Sequence, residues 1–227
     1  MARQGGATTR TEGIYRRLRA DILGGRLTPG ERLKFPDLCG NYNTSVGAAR
    51  EALARLSAEG LVRAQAHQGY MVRPLSHDDL LDLTEARIEV ETLVFRMSVT
   101  HGNVRWEADL VAAHHVLERT PFPDGEPAHV SLVETWAVAH TVFHRALFAG
   151  CPNRRLTETA RALREEAELY RHWSLPAARA ADRDHAGEHR ALLDAALDRD
   201  ADRAADLLRA HIAHTTDLLI GVRGVPA

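Results

Sequence analysis

Cysteine is nearly absent from this chain, with Cys39 and Cys151 the only two in 227 residues. Two thiols cannot make a disulfide framework, and neither has a second Cys at metal-ligand spacing, so both read as buried or idle. Aromatic residues are only 5 % of the sequence. That is too few for a single-strand binder that stacks bases, and it leaves aliphatic helix packing to build the core. No stretch approaches the roughly 18 uninterrupted apolar residues of a membrane span, and MARQGGATTRTEG has no apolar core for a signal peptide. A cytoplasmic chain without membrane contact is expected. Lysine is scarce too, one against 28 arginines, a bias that strengthens bidentate contacts to phosphate.

What is present is an uneven charge. The net charge of −2 hides a first segment, residues 1–75, with 12 Lys and Arg against 6 Asp and Glu. The remaining residues carry 17 against 25, so the balance runs from +6 to −8. A basic segment of this size suits a polyanion, because each neutralised phosphate releases condensed counterion. Histidine splits the other way: of 13, only His67 precedes residue 76, which points metal chemistry to the acidic part.

Periodicity predicts an amphipathic helix over 13–24, with Ile14, Leu18 and Ile22 at four-residue steps. The turn Leu27-Thr28-Pro29-Gly30 leads to a short helix over about 35–40, then Ser45 caps a second running through Ala58. Two short helices across a tight turn fit a helix-turn-helix. Leu61-Val62-Arg63 and Tyr70-Met71-Val72 alternate like a hairpin around His67-Gln68-Gly69, which would be a wing. Beyond Ser76 the pattern predicts long helices at about 77–101, 104–119, 128–149, 153–173, 178–199 and 201–220. The expected fold is mainly α: a flexible arm (1–11), a winged helix-turn-helix with a small β-hairpin wing (12–75) and an all-α bundle (76–222).

The order IYRRLRADILGGRLTPGERL, SVGAAREALARLSAEGLV and HQGYMV resembles the winged helix-turn-helix of the GntR family of bacterial transcriptional regulators. Leu83-Thr84-Glu85-Ala86-Arg87 with Glu91, Phe143-His144 before Pro152-Asn153, Glu188-His189 and His211-Ile212 resemble the all-helical FCD effector domain of its FadR-like subgroup. Two departures stand out. Where the family's recognition helix usually reads Ser-Arg-Thr-Pro-Val-Arg-Glu-Ala-Leu, this chain has Val46 in place of the first arginine, so a different operator half-site is expected. Where the family has Asp-x-x-x-His, this chain has His140-Thr141-Val142-Phe143-His144.

The resemblance implies a homodimeric regulator, in the family most often a repressor, acting in the cytoplasm on nucleoid DNA. It would bind an inverted-repeat operator in double-stranded DNA and respond to a small carboxylate effector. Arg50 would reach a base edge or phosphate, Thr44, Ser45 and Arg55 phosphate oxygens, and His67 and Gln68 the minor groove or backbone, with Gly69 permitting the turn. Arg16, Arg17 and Arg19 fit a solvated helix face.

His140 and His144 lie four apart, so both can face one ion from one helix. His189 and His211 fall where the family places its remaining ligands. Such a set suits a divalent ion, zinc by preference, with nickel or another borderline ion as alternatives. His140 is either a fourth ligand or stands behind the ligands. His185 and His214 are rivals one turn away, while His101, His114, His115 and His129 read as surface residues. Arg87 and Glu91 form either an intrahelical ion pair or, with Arg87 over the pocket, a receiver for an anionic effector. Trp136, one turn before His140, either walls that pocket or is ordinary core. A metal-dependent hydrolase built on the histidines is the alternative function. The chain offers no HExxH, no catalytic residue is assigned, and an enzyme is not expected.

Overall fold

The computed structural model describes residues 5–23, 26–65, 69–74, 76–122, 130–178 and 183–220. The chain divides into two compact units. One holds Met1–His77 and takes in Glu165–Trp173; the other holds Asp78–Arg164 and Ser174–Gly224.

In the first unit, helix α1 (Gly5–Leu23) begins well before the predicted residue 13, so the expected arm is helical from Gly5 onward. Tertiary contact overrides the weak local propensity here. Thr11 is buried and donates to Glu51, and Glu12 pairs with Arg55. Ile14, Leu18 and Ile22 are buried as the periodicity required, each worth about 1.5–3 kcal/mol of apolar transfer. Helix α2 (Phe35–Tyr42) keeps Pro36 in its first turn and ends where Asn43 turns left-handed at φ 48°. Helix α3 (Val46–Ala58) starts at Ser45, whose Oγ accepts from the Ala48 N–H at 3.3 Å. Its Ala49, Ala52, Leu53 and Leu56 are buried, and α1 packs on it.

The wing is a three-stranded antiparallel sheet. The expected hairpin, β2 (Val62–Gln65) and β3 (Gly69–Val72), is joined by β1 (Arg32–Leu33) in the order β1-β3-β2. Two residues are too few to show alternation, so β1 had no signature in the sequence.

The second unit is built from helices: α4 (His77–His101), α5 (Val104–Arg119), α6 (Val130–Phe148), α7 (Arg154–Ala178) apart from its Glu165–Trp173 stretch, α8 (His185–Leu197) and α9 (Ala201–Ile220). Phe95, Leu110, Phe143, Leu147, Leu192, Leu208 and Ile212 form its core. The Asn103 side chain caps α5 by accepting from the Trp106 N–H at 2.9 Å. Trp106 in turn fills the space over Gly102 and Gly150 and donates from its indole to the Ala146 carbonyl at 2.8 Å.

Three expectations need correction. Helix α7 does not stop at Ser174-Leu175-Pro176 but continues through Pro176, which sits in its last turn. Helix α8 starts at His185 on an Asp184 cap rather than at 178, and residues 179–182 lie outside the described residues. His114 is not a surface residue: it is 4 % exposed and meets Phe143 edge-on with ring centroids 5.4 Å apart. It lies four residues after Leu110 and three before Leu117, on the apolar stripe of its helix. His101 and His115 are exposed as expected, and His129 lies outside the described residues.

Candidate DNA-binding face and candidate metal centre

In the first unit, α3 presents the predicted contact residues at the surface. Ser45 and Arg50 are exposed and Thr44 is half-buried. The Arg50 guanidinium lies over the Phe35 ring, 5.5 Å from its centroid, a contact that orients it without neutralising its charge. Arg55 differs. It pairs with Glu12 at 2.7 Å and lies 3.8 Å over the Tyr15 ring, and the bond from Glu12 raises its pKa. A phosphate would have to displace Glu12 to reach it.

Gly69 has φ 86°, a conformation that favours glycine, while His67 and Gln68 lie outside the described residues. Arg16, Arg17 and Arg19 are engaged by Glu12, the Tyr42 carbonyl and Glu59. Sequence reasoning passed over Arg32 and Arg63. Both are exposed and both pair in register with Met71, on opposite sides of β3, so they share one face of the wing.

In the second unit, α6, α8 and α9 bring four histidines together. His140, His144, His189 and His211 are all buried, and one ring nitrogen from each lies within 4.8 Å of the others. The Nε2 atoms of His144 and His189 are 3.3 Å apart. The four-residue step from His140 to His144 works as expected, because one helix face carries both. His185 and His214 are not part of the group. His185 stacks on Phe122 with centroids 5.0 Å apart, and the half-exposed His214 meets a Glu188 oxygen at 3.0 Å. Trp136 is buried and stacks on His140 at 4.6 Å, so it walls the cluster.

Burial disfavours the charged form of His144, His189 and His211. Burial, followed by the nearby Arg164 charge and the other imidazoles, holds His144 well below the usual histidine range. Burial and His211 do the same to His189. Burial pushes His211 down to about 4 against an opposing bond from Glu188, and burial with Arg183 takes His185 to about 4. Burial opposes ionisation of Glu188, but bonds from His211 and Arg183 outweigh it and hold the carboxyl far below its ordinary range. Four buried imidazoles with converging nitrogens are a donor set that fits a borderline divalent cation. The buried Nδ1 of His144, which has no hydrogen-bond partner among the described residues, adds a polar group that burial alone does not reward.

Beside the cluster lies a charged group that the sequence revealed only in half. Arg87 donates to Glu91 at 2.6 Å, the expected intrahelical pair, and both are buried. Arg164, 73 residues on, reaches the second oxygen of Glu91 at 3.4 Å. Two buried guanidiniums thus meet on one buried carboxylate, which draws α4 and α7 together through charge-assisted bonds in a desolvated setting.

Residues 10–72 match the model of the bacterial regulatory proteins, gntR family, and residues 82–214 match the FCD domain. The chain is 42 % identical over 205 residues to the HTH-type transcriptional regulator BphR of Paraburkholderia xenovorans LB400, covering 88 % of this chain and 81 % of that one. It is 34 % identical over 201 residues to the HTH-type transcriptional repressor GlaR of Escherichia coli K12, covering 87 % and 90 %. The fold is that of E. coli McbR/YncC (TM-score 0.70, 20 % identity, 93 % and 97 % covered) and of a GntR regulator from Rhodococcus sp. RHA1 (0.69, 24 %, 95 % and 100 %). These relatives and both domains are regulators, not enzymes, which sets the hydrolase alternative aside. Among the described residues no helix is long and apolar enough to cross a membrane. A basic winged helix-turn-helix followed by a histidine-bearing helical unit therefore places the chain in the GntR family of transcriptional regulators, with an FCD domain.

Proposed function

We propose that the protein is a homodimeric repressor whose hold on an inverted-repeat operator is set by a small carboxylate bound at a divalent metal centre. The observation that carries this reading is the buried four-histidine cluster, with the Arg164 guanidinium close enough to act on His144 and His189. His140, His144, His189 and His211 would hold the ion, zinc or another borderline metal. When bound, that ion supplies an electrophilic anchor for a carboxylate oxygen. Arg87, with Arg164, supplies the complementary charge, and Trp136 closes the wall behind His140. At the other end, Arg50 reads the operator while Thr44, Ser45 and Arg55 contact phosphates, with His67, Gln68 and Gly69 at the wing.

The effector alters operator affinity only as far as it binds two arrangements of the dimer differently, and the linkage is reciprocal. The test is a paired titration of operator DNA with metal-loaded protein, with and without each of a panel of mono- and dicarboxylates. One member of the panel is expected to weaken operator binding in wild type and to have no effect on His144→Ala, whose DNA binding without effector is unchanged. An undiminished response in His144→Ala places the effector elsewhere.

A further inference from the structure

The four imidazoles differ in what stands behind them. His144 Nδ1 is buried with no hydrogen-bond partner among the described residues, whereas His211 Nδ1 lies 2.7 Å from Glu188 Oε2. A carboxylate only accepts, so at that separation the proton sits on Nδ1 and His211 donates. The competing arrangement has Nδ1 accepting from Arg183 Nη2 at 3.3 Å. It would leave two lone pairs facing each other across the shorter contact. With Nδ1 protonated, Nε2 is the one nitrogen with which His211 can take a cation.

Glu188 is itself held in place. Arg183 grips it with Nε at 2.8 Å and Nη2 at 2.5 Å. Its Nη1 is tied to Thr215 Oγ1 at 3.0 Å and its Nη2 to the His211 carbonyl at 3.2 Å. The carboxylate cannot swing away without breaking this guanidinium fork, and the fork rests on the same helix, α9, that carries His211.

We infer that Glu188 is a positioning residue for the metal centre, an inference that rests on the metal reading above. It fixes His211 as the Nδ1–H tautomer, aims Nε2 at the ion, and by its negative charge makes that nitrogen a stronger donor. His211 is then a ligand oriented from behind, whereas the Nδ1 of His144 has no such support among the described residues.

The test uses full-length protein and zinc alone as the probe. Long-range 1H–15N spectra of the metal-free protein report each ring's tautomer, and competition with a chromophoric chelator reports zinc affinity. Wild type is expected to show His211 as Nδ1–H. Glu188→Gln is expected to lose the pure tautomer and to bind zinc about 10–100-fold more weakly, with unchanged helix content. Wild-type zinc affinity in Glu188→Gln, with zinc still bound by wild type, overturns the inference alone. A wild type that takes up no zinc overturns the metal reading with it. The wild-type spectrum needs no substitution, so an Nε2–H His211 overturns the inference even if Glu188→Gln does not fold.

Discussion

The recognition helix and the histidine cluster handle polar groups in opposite ways. Around α3 the charges stay at the surface with partners they can exchange. Arg50 rests on an aromatic face, and Arg55 pairs with Glu12 while 43 % of its side chain stays exposed. Around the cluster, Glu91 and His144 are fully buried and their neighbours are fixed. The difference follows from the partners. A polyanion brings its own counterions and asks only for cations that can let go of what they hold. A small ion or acid must be met by groups already stripped of water and already aligned, because nothing else compensates their desolvation.

The largest effect should come from the buried side. Stripping the ion removes a ligand of the folded state alone, which at 100-fold excess over Kd is worth about 2.7 kcal/mol, or about 5–10 °C of Tm in a chain of this size. Thermal melts with and without chelator should show this shift in wild type and none in His144→Ala. A wild-type Tm indifferent to chelator would remove the contrast between the two regions.

On the exposed side, Arg50→Ala should cost about 2 kcal/mol of specific operator affinity if it reads a base. Affinity for random duplex should barely move. An equal loss on both DNAs would make Arg50 a phosphate contact.

The pH response is smaller and again belongs to the buried side. His211 takes up its proton only near pH 4 when folded but near the ordinary ~6.5 when unfolded, so the unfolded chain binds more protons between those values. The stability of metal-free protein is therefore complete above about pH 6.5 and declines as pH falls towards 4, with roughly 1–2 kcal/mol lost by about pH 5 at about 1.4 kcal/mol per pH unit. Urea midpoints in chelator at pH 7 and pH 4.5 measure this. The half-exposed His185, also near 4, adds in the same direction.

The smallest effect tests exchangeability itself. Glu12→Gln removes the partner of Arg55 from an exposed ion pair, so it should leave Tm unchanged and raise operator affinity by no more than a few fold. A fall in affinity would mean that Glu12 holds Arg55 in its working pose rather than competing for it.

How far the sequence revealed these two regions depends on the range of the interactions involved. Helices α4, α5 and α9 begin and end where periodicity and turn residues put them, because those signals are local. The histidine quartet was readable because two members share a helix face and the other two sit at family positions. Arg164 and Glu188 went unnoticed as site residues, since each acts through a partner far along the chain, Glu91 and His211 respectively. No spacing rule joins such pairs. The early start of α1 was hidden likewise, because Thr11 and Glu12 find their partners on α3. His114 is different: its place on the Leu110–Leu117 stripe was visible, and polarity was weighed above phase.

The packing of Trp106 on Gly102 and Gly150 has a genetic consequence. A methyl group on Gly102 would run into the indole ring, and one on Gly150 would lie 2.7 Å from the Ser98 carbonyl and 3.0 Å from the Gly102 Cα. Two of those obstacles are backbone, so neither position relaxes by a rotamer change, and overpacking of this kind costs about 1–3 kcal/mol. Every glycine codon is one nucleotide from an alanine codon. A screen for heat-sensitive alleles of this gene should therefore return Gly102→Ala and Gly150→Ala, regulators that work in the cool and fail in the warm while every ligand and every DNA contact is still encoded.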